Sequence, residues 1–381
     1  MNNAVYIAGV AESPLGKVTD HSELSMAAVA SREALAEAGL TLKDVDGLFT
    51  NYMGEEGSVQ LGEYIGVQPR YAESSDMGGG AFEFFVHHAM LAIAAGHCEV
   101  ALIAYASRQR TLRNRPRWSG ADAYTLSGQF ESVYGTTTPI SQYALFAARH
   151  MYEHDTTLEH LAHVAVSARK WAQLNPKAFY QEALSLEEVM ASPFISEPLR
   201  KLDCCLVTDG GGAIVVTSAA RAKDAAKKAI RVLGAGESHF AWHSSQVSDM
   251  TTTPGKQSAA DAFGRAGIKP GDVDVFEPYD NFTSSVILQL EDLGFCDVGQ
   301  AGDFVAEGNT APGGSLPMST MGGGLSYCHP GALGLLLLVE TVRQLRGEAG
   351  KRQVPDAEIG VAHGVGGLSF STSATVVLAN E

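Results

Sequence analysis

The sequence predicts a duplicated α/β protein with two βαβα-type halves, and three observations carry that expectation. First, segments of the chain recur in the same order. Residues 5–13 (VYIAGVAES) return as 230–238 (IRVLGAGES), and residues 34–46 (ALAEAGLTLKDVD) return as 262–274 (AFGRAGIKPGDVD). Second, several short runs, 100–104, 213–217 and 376–378, are apolar on both faces, as strands covered by helices on both sides must be. Third, 381 residues with 45% hydrophobic and 18% charged side chains fill two ordinary cores, and 41 glycines supply many tight turns.

Each repeated unit reads in order. Residues 5–10 form a strand in the first half and 230–234 its counterpart. A helix follows in each half, stopped by Gly39 or Gly267, then a short turn with an acidic cap and a second strand. Gly78-Gly79-Gly80 before an apolar helix matches Gly322-Gly323-Gly324 before the helix around 333–345, and strand 99–104 matches 358–362. The halves span 1–220 and 229–381, with the Ala- and charge-rich segment 219–228 crossing between them. An insertion at 107–201 opens as a loop and continues as helices over 142–154 and 158–174.

Charge and composition remove whole classes of function. A formal net charge of -16 argues against nucleic-acid binding, which needs a basic face. Five cysteines without CxxC spacing encode neither a disulfide framework nor a zinc ribbon, and they fit reducing cytoplasm. His150/His154 and His239/His243 lack an HExxH context and read as solvated helix faces, so no metal site is expected. The N-terminus lacks the pattern of a secretion signal, and the apolar run 333–339 is too short to span a bilayer.

In a duplicated α/β fold, equivalent loops at the strand ends converge, so the matched turns are the first candidates for a site. They are 74–82 (SSDMGGGAF), 277–282 (EPYDNF), 322–331 (GGGLSYCHPG) and 362–368 (AHGVGGL). Asp280 is expected to cap the helix starting near Thr283. Arg108, Arg110, Arg113, Arg115 and Arg117 stand in a stretch free of acidic residues, and three readings stay open for them: coenzyme A phosphates, an acidic partner, or a solvated loop.

These turns resemble the thiolase superfamily, in its branch near the sterol-carrier-protein thiolase domain and the lipid-transfer thiolase-like proteins. Asn175-Pro176-Lys177-Ala178 and the stretch 198–211 (PLRKLDCCLVTDGG) look like that branch as well, so the resemblance covers nearly the whole chain. It implies a five-layered α/β/α/β/α body with the insertion over the mouth of the site. It also implies a homodimer formed through strand 99–104, and a separate small OB-fold and zinc-ribbon partner that helps bind the CoA ester. Any zinc would belong to that partner, and no cofactor is expected in this chain.

The sequence departs from the thiolase pattern at the nucleophile. That position falls at Gly79, and no Cys, Ser or Thr is there to carry an acyl group. The chain thereby resembles the cysteine-less aldolases that split steroid side chains, which implies retro-aldol cleavage of a β-hydroxyacyl-CoA to a ketone and a shortened acyl-CoA such as propionyl-CoA. Such a cleavage needs a base for the hydroxyl, donors for the thioester enolate and an acid for the α-carbon. Tyr279 and Tyr327 are the implied acid and base, in an order left open, with His329 and His363 as tuning or enolate-binding neighbours. Gly79 and Gly366 are assigned with the arginines to CoA binding. The competing expectations are an acyltransferase using Cys328, and a non-catalytic acyl-CoA-binding protein.

Overall fold

A computed structural model describes residues 4–51, 53–112, 124–136 and 138–380; Arg113, Arg115 and Arg117 lie outside the described residues. Strand β1 (Val5–Glu12) is followed by α1 (Glu23–Glu37), β2 (Gly47–Thr50), α2 (Gly57–Ile65), β3 (Tyr71–Ser74), α3 (Ala81–Ala94) and β4 (Val100–Arg108). The insertion holds α4 (Pro139–His154), α5 (Leu158–Ala172), α6 (Leu186–Ala191) and a hairpin of β5 (Phe194–Ser196) and β6 (Leu199–Arg200). Strand β7 (Asp209–Ser218) then leads through the short α7 (Ala219–Ala222) to β8 (Ile230–His239). The remainder is α8 (Gly255–Ala266), β9 (Val275–Pro278), α9 (Thr283–Asp292), α10 (Ala301–Ala306), α11 (Gly334–Leu345), β10 (Ile359–Gly366) and β11 (Thr372–Ala379).

The repeat is visible in local chemistry. Gly39 and Gly267 end α1 and α8 with positive φ, as the left-handed helix cap requires. Asp44 accepts the Thr41 N–H at 2.9 Å, and Asp272 accepts the Lys269 N–H at 2.8 Å. Asp46 accepts the Glu99 and Val100 N–H groups, and Asp274 those of Glu358 and Ile359, so one device starts β4 and β10. Gly9 and Gly234 lie under α1 and α8, where a Cβ would stand 1.9 Å from the Ala34 carbonyl oxygen and 2.3 Å from that of Ala262.

The strands of both halves join in one nine-stranded ladder, β3-β2-β4-β7-β1-β8-β11-β10-β9. Its order is nearly palindromic about β1 and β8, which pair antiparallel through Val5–Val232, Tyr6–Arg231 and Ile7–Ile230. Helix α1 packs on β1, β4 and β7, and α8 on β8 and β11. Helices α3 and α11 pack on each other, and each touches strands of both halves. They form the middle layer of the five. That position explains why Leu335, Leu336, Leu337 and Leu338, four consecutive residues that point to different sides of the helix, are all buried. Each such side chain contributes about 1.5–3 kcal/mol by leaving water.

Strand β4 contains residues 100–104 and is hydrogen-bonded along both edges, to β2 and to β7. The expectation of a dimer through 99–104 is therefore corrected: a strand whose N–H and C=O groups are already paired on both sides has none left for a partner. Of the predicted insertion helices, 142–154 corresponds to α4 and 158–174 to α5. His150, expected on a solvated face, is buried on α4, with Nε2 2.9 Å from Glu291 and Nδ1 2.9 Å from Thr156. No helix among the described residues is long and apolar enough to cross a membrane.

Candidate active site

The middle layer brings the N-termini of α3 and α11 to the loop that leaves β9. Tyr279, the first residue after β9, is fixed at its backbone by Gln289 of α9. The Gln289 side chain accepts the Tyr279 N–H at 3.0 Å and donates to the Tyr279 carbonyl at 2.9 Å. Its ring therefore projects to Gly79. A Cβ built on Gly79 would lie 1.8 Å from the Tyr279 hydroxyl oxygen and 2.3 Å from Cζ. The phenol thus fills the space that a side chain at residue 79 would occupy.

The Tyr279 oxygen accepts the Leu333 N–H at 3.3 Å, at the entry to α11, and lies 3.2 Å from His329 Nε2. The two rings meet edge to face at 85°, 5.7 Å apart. The His329 backbone N–H donates to Thr208 Oγ1 at 2.9 Å, which fixes the imidazole on this loop. Burial pulls His329 down to about 4 and pushes the Tyr279 phenol above its ordinary value. Both groups are neutral near pH 7.

Asp280 does not cap α9. Its buried carboxyl accepts the Gly324 N–H at 2.6 Å and the Leu325 N–H at 3.2 Å, which pins the turn carrying Tyr327 and His329. Phe282 takes the cap position instead. The glycines of that turn have a steric reason: at Gly323, with φ of 59°, a Cβ would meet Asp280 Oδ2 at 2.0 Å. Burial pushes Asp280 up to about 7.

Tyr327 is fully buried and turns to a different partner. Its hydroxyl donates to Glu12 at the end of β1, and Glu12 is ion-paired with Lys177. Burial pushes the phenol above its ordinary value. For Glu12 burial acts upward too, but the Lys177 ammonium, the Tyr327 hydroxyl and Arg343 together outweigh it and hold the carboxyl below the usual range.

Other expected site residues lie elsewhere. His363 sits inside β10 rather than in a turn. Its Nδ1 lies 2.8 Å from Thr375 Oγ1, and its ring faces Gly255 on the α8 side of the sheet. The next residue, Gly364, faces the middle layer instead, as strand alternation demands. Gly366 is a packing glycine, where a Cβ would stand 2.0 Å from the Met77 carbonyl oxygen. Arg108 donates its backbone N–H to Glu23 at 3.0 Å; Arg110 is exposed and stacks on Phe179 at 4.7 Å.

Cys328 points to Thr208, with Sγ 3.1 Å from Oγ1, and burial pushes its thiol up to about 12. A buried thiol so far above neutrality supplies no thiolate, which removes the physical basis of the acyltransferase expectation.

Three residues near this centre escaped sequence reasoning. Glu12 ends a strand and carries no motif. Tyr143 of α4 donates to the Gly367 carbonyl at 3.2 Å and packs 4.9 Å from Phe282, and only the fold brings the insertion there. Glu83 of α3 is wholly buried with neither oxygen hydrogen-bonded, between Gly334 and Gly364, and burial pushes its carboxyl well up. Among the described residues no His, Cys, Asp and Glu cluster fit to hold a metal occurs.

The fold is that of a thiolase-like protein, with a phenol filling the space beside Gly79, and comparison with known proteins agrees with the fold. Residues 236–380 match the model of the thiolase C-terminal domain-like family. The chain is 36% identical over 360 residues to the 17-hydroxy-3-oxo-4-pregnene-20-carboxyl-CoA lyase of Mycobacterium tuberculosis, covering 90% of this chain and 91% of the relative. It is 36% identical over 364 residues to the steroid side-chain-cleaving aldolase of Thermomonospora curvata, covering 90% of each. The solved structure of an Ltp2-ChsH2(DUF35) aldolase superposes with a TM-score of 0.90 at 33% identity, over 100% of this chain and 98% of that one. The chain belongs to the thiolase superfamily, in the branch of the steroid side-chain aldolases.

Proposed function

We propose that this protein is a carbon–carbon lyase that cleaves a β-hydroxyacyl-CoA by retro-aldol chemistry, with a steroid side-chain thioester as substrate and a ketone and a shortened acyl-CoA, such as propionyl-CoA, as products. The observation that carries the reading is the exchange at the nucleophile position. Gly79 offers no acyl acceptor, and the Tyr279 hydroxyl stands in its space beside a neutral His329. Covalent acyl transfer is closed there, and proton chemistry is what the remaining groups can perform.

Cleavage moves the β-hydroxyl proton to a base, turns the C–O bond into a carbonyl, and releases the α-carbon as a thioester enolate. Tyr279 and His329 face that enolate: the phenol donates to its oxygen or protonates its carbon, and the neutral imidazole orients the phenol. Tyr327 completes the acid–base pair. Arg108, Arg110, Arg113, Arg115 and Arg117 serve the CoA phosphates. The division into halves 1–220 and 229–381 frames the site.

The protein acts in the cytoplasm as a homodimer, with a DUF35-type partner of the kind named for the superposed aldolase. Mass spectrometry of products from a ring-bearing tertiary β-hydroxyacyl-CoA, with partner present, tests the reading. Ketone and shortened acyl-CoA should appear, and Tyr279→Phe should slow them by about 10²–10⁴-fold. Unchanged cleavage in that variant overturns it.

A further inference from the structure

Tyr279 and Tyr327 are both buried phenols, yet their hydroxyls have different exits. The Tyr279 oxygen accepts the Leu333 N–H, and its other partner is the neutral imidazole of His329, so no anion waits for its proton. Tyr327 donates to Glu12 Oε1, and Glu12 Oε2 is bonded to Lys177, whose side chain is 62% exposed. A continuous hydrogen-bonded path therefore runs from the Tyr327 phenol to solvent.

The path is built by the insertion. Asn175 donates its side-chain amide to the Met321 carbonyl at 2.9 Å and accepts the Lys177 N–H at 3.1 Å. The Phe179 N–H donates to the Tyr327 carbonyl at 3.1 Å. The Asn-Pro-Lys-Ala stretch thus lies against the catalytic turn and delivers the ammonium to Glu12.

We propose that Glu12, held as a carboxylate by Lys177, is the relay group that takes the Tyr327 proton, which makes Tyr327 the base of the reaction and leaves Tyr279 as the acid. The proposal rests on the reading of Tyr327 as part of the acid–base pair. As the β-hydroxyl proton passes to the Tyr327 oxygen, the Tyr327 proton passes to Glu12 Oε1. The O–H electron pair becomes the second bond of the ketone, and the Cα–Cβ pair becomes the enolate. Tyr279 then protonates the α-carbon. One proton has been gained at Glu12 and one lost at Tyr279. Glu12, whose side chain is 10% exposed, releases the first to water, a return to the carboxylate that the Lys177 ammonium favours, and Tyr279 recovers the second from water once product leaves. Glu12 touches no substrate in this scheme and is a positioning residue that acts through Tyr327.

The groups facing this path are Lys177, Arg343 and Arg352 on the positive side, Glu340 as a carboxylate paired with Arg352, the Tyr327 phenol and the Cys328 thiol. The cations outnumber the competing carboxylate, so Glu12 starts each turnover as an acceptor.

The test uses the protein with its partner, and compares Glu12→Gln, Tyr327→Phe, the double variant and Lys177→Met in steady-state cleavage. Glu12→Gln should lower kcat about 10²-fold or more with KM nearly unchanged, and Glu12→Asp should recover part of the loss. In the Tyr327→Phe background, Glu12→Gln should cost nothing further, whereas a merely structural role predicts losses that multiply. Lys177→Met removes a surface ammonium that favours the carboxylate, so the acidic limb of the kcat–pH profile should move to higher pH. Multiplying losses, a fully active Glu12→Gln, or an unmoved acidic limb overturns the relay while leaving Tyr279 chemistry intact. A fully active Tyr327→Phe overturns the underlying reading of the site. Should Glu12→Gln fail to fold, the Lys177→Met profile still decides.

Discussion

Replacing Gly79 with alanine adds one methyl group directly against the Tyr279 phenol. The new Cβ would stand 1.8 Å from the Tyr279 hydroxyl oxygen, 2.3 Å from Cζ and 2.9 Å from Cε2. Ordinary contact needs ~3.5 Å, so the phenol oxygen must retreat by about 1.5–2 Å. A movement of that size breaks the 3.2 Å approach to His329 and the 3.3 Å bond from Leu333. Overpacking of this kind costs about 1–3 kcal/mol of stability, and an angstrom of misplacement at a reacting group costs about 10²-fold in rate. Gly79→Ala should therefore fold with a lowered Tm and cleave at about the rate of Tyr279→Phe. Gly264→Ala is the control, because a Cβ on that helical glycine meets nothing within 4 Å. It should leave cleavage unchanged and Tm equal or raised. Product formation by mass spectrometry and thermal unfolding read both quantities. A Gly79→Ala protein cleaving at the parental rate would refute the claim that Tyr279 acts from that position.

Cys328→Ala should keep most of the cleavage rate, because its thiol faces Thr208 and is pushed up to about 12; a loss matching Tyr279→Phe would restore the thiol as a reactant. His363 offers a pH test away from the chemistry. Burial pulls it from 6.5 to about 3, so as pH falls below 6.5 the unfolded chain binds a proton that the folded chain refuses. Stability is then present above 6.5 and lost toward 3, at roughly 1.4 kcal/mol per pH unit for this group. His363→Asn should flatten the acid slope of denaturant-midpoint curves by that order while cleavage persists; an unchanged slope would contradict the burial argument.

Much of the fold was legible because the repeat is written in residues whose roles are local. Gly39 and Gly267, and Asp44 and Asp272, each do within a few positions what their pattern announces. The conjunction of Gly79 with Tyr279 and His329 was legible through the matched turns. What escaped depends on distant contacts. Strand β4 looks like any apolar strand, and only the antiparallel return of β7 shows its second edge to be taken. Asp280 has the spacing of a helix cap, but the N–H groups of a turn more than forty residues away compete for its carboxyl and win. His363 reads as part of a matched turn because Gly-Val-Gly-Gly follows it; the ladder to β11 extends the strand as far as Gly366. Glu12 gains its meaning only from a tyrosine at the other end of the chain.

The pairing of β1 with β8 bears on how the enzyme meets its substrate. Two-lobed enzymes commonly assemble their sites by swinging one lobe onto the other. Here the lobes share a hydrogen-bonded ladder, and both middle helices are gripped by strands from each side. Parting them would strip backbone pairs and wet the buried leucines of α11 together. The body is a fixed frame, and the spacing of phenol, imidazole and carboxylate is set when the chain folds. Substrate affinity is thus free of the cost of closing two lobes, and discrimination among acyl groups falls to the segments that cross the frame.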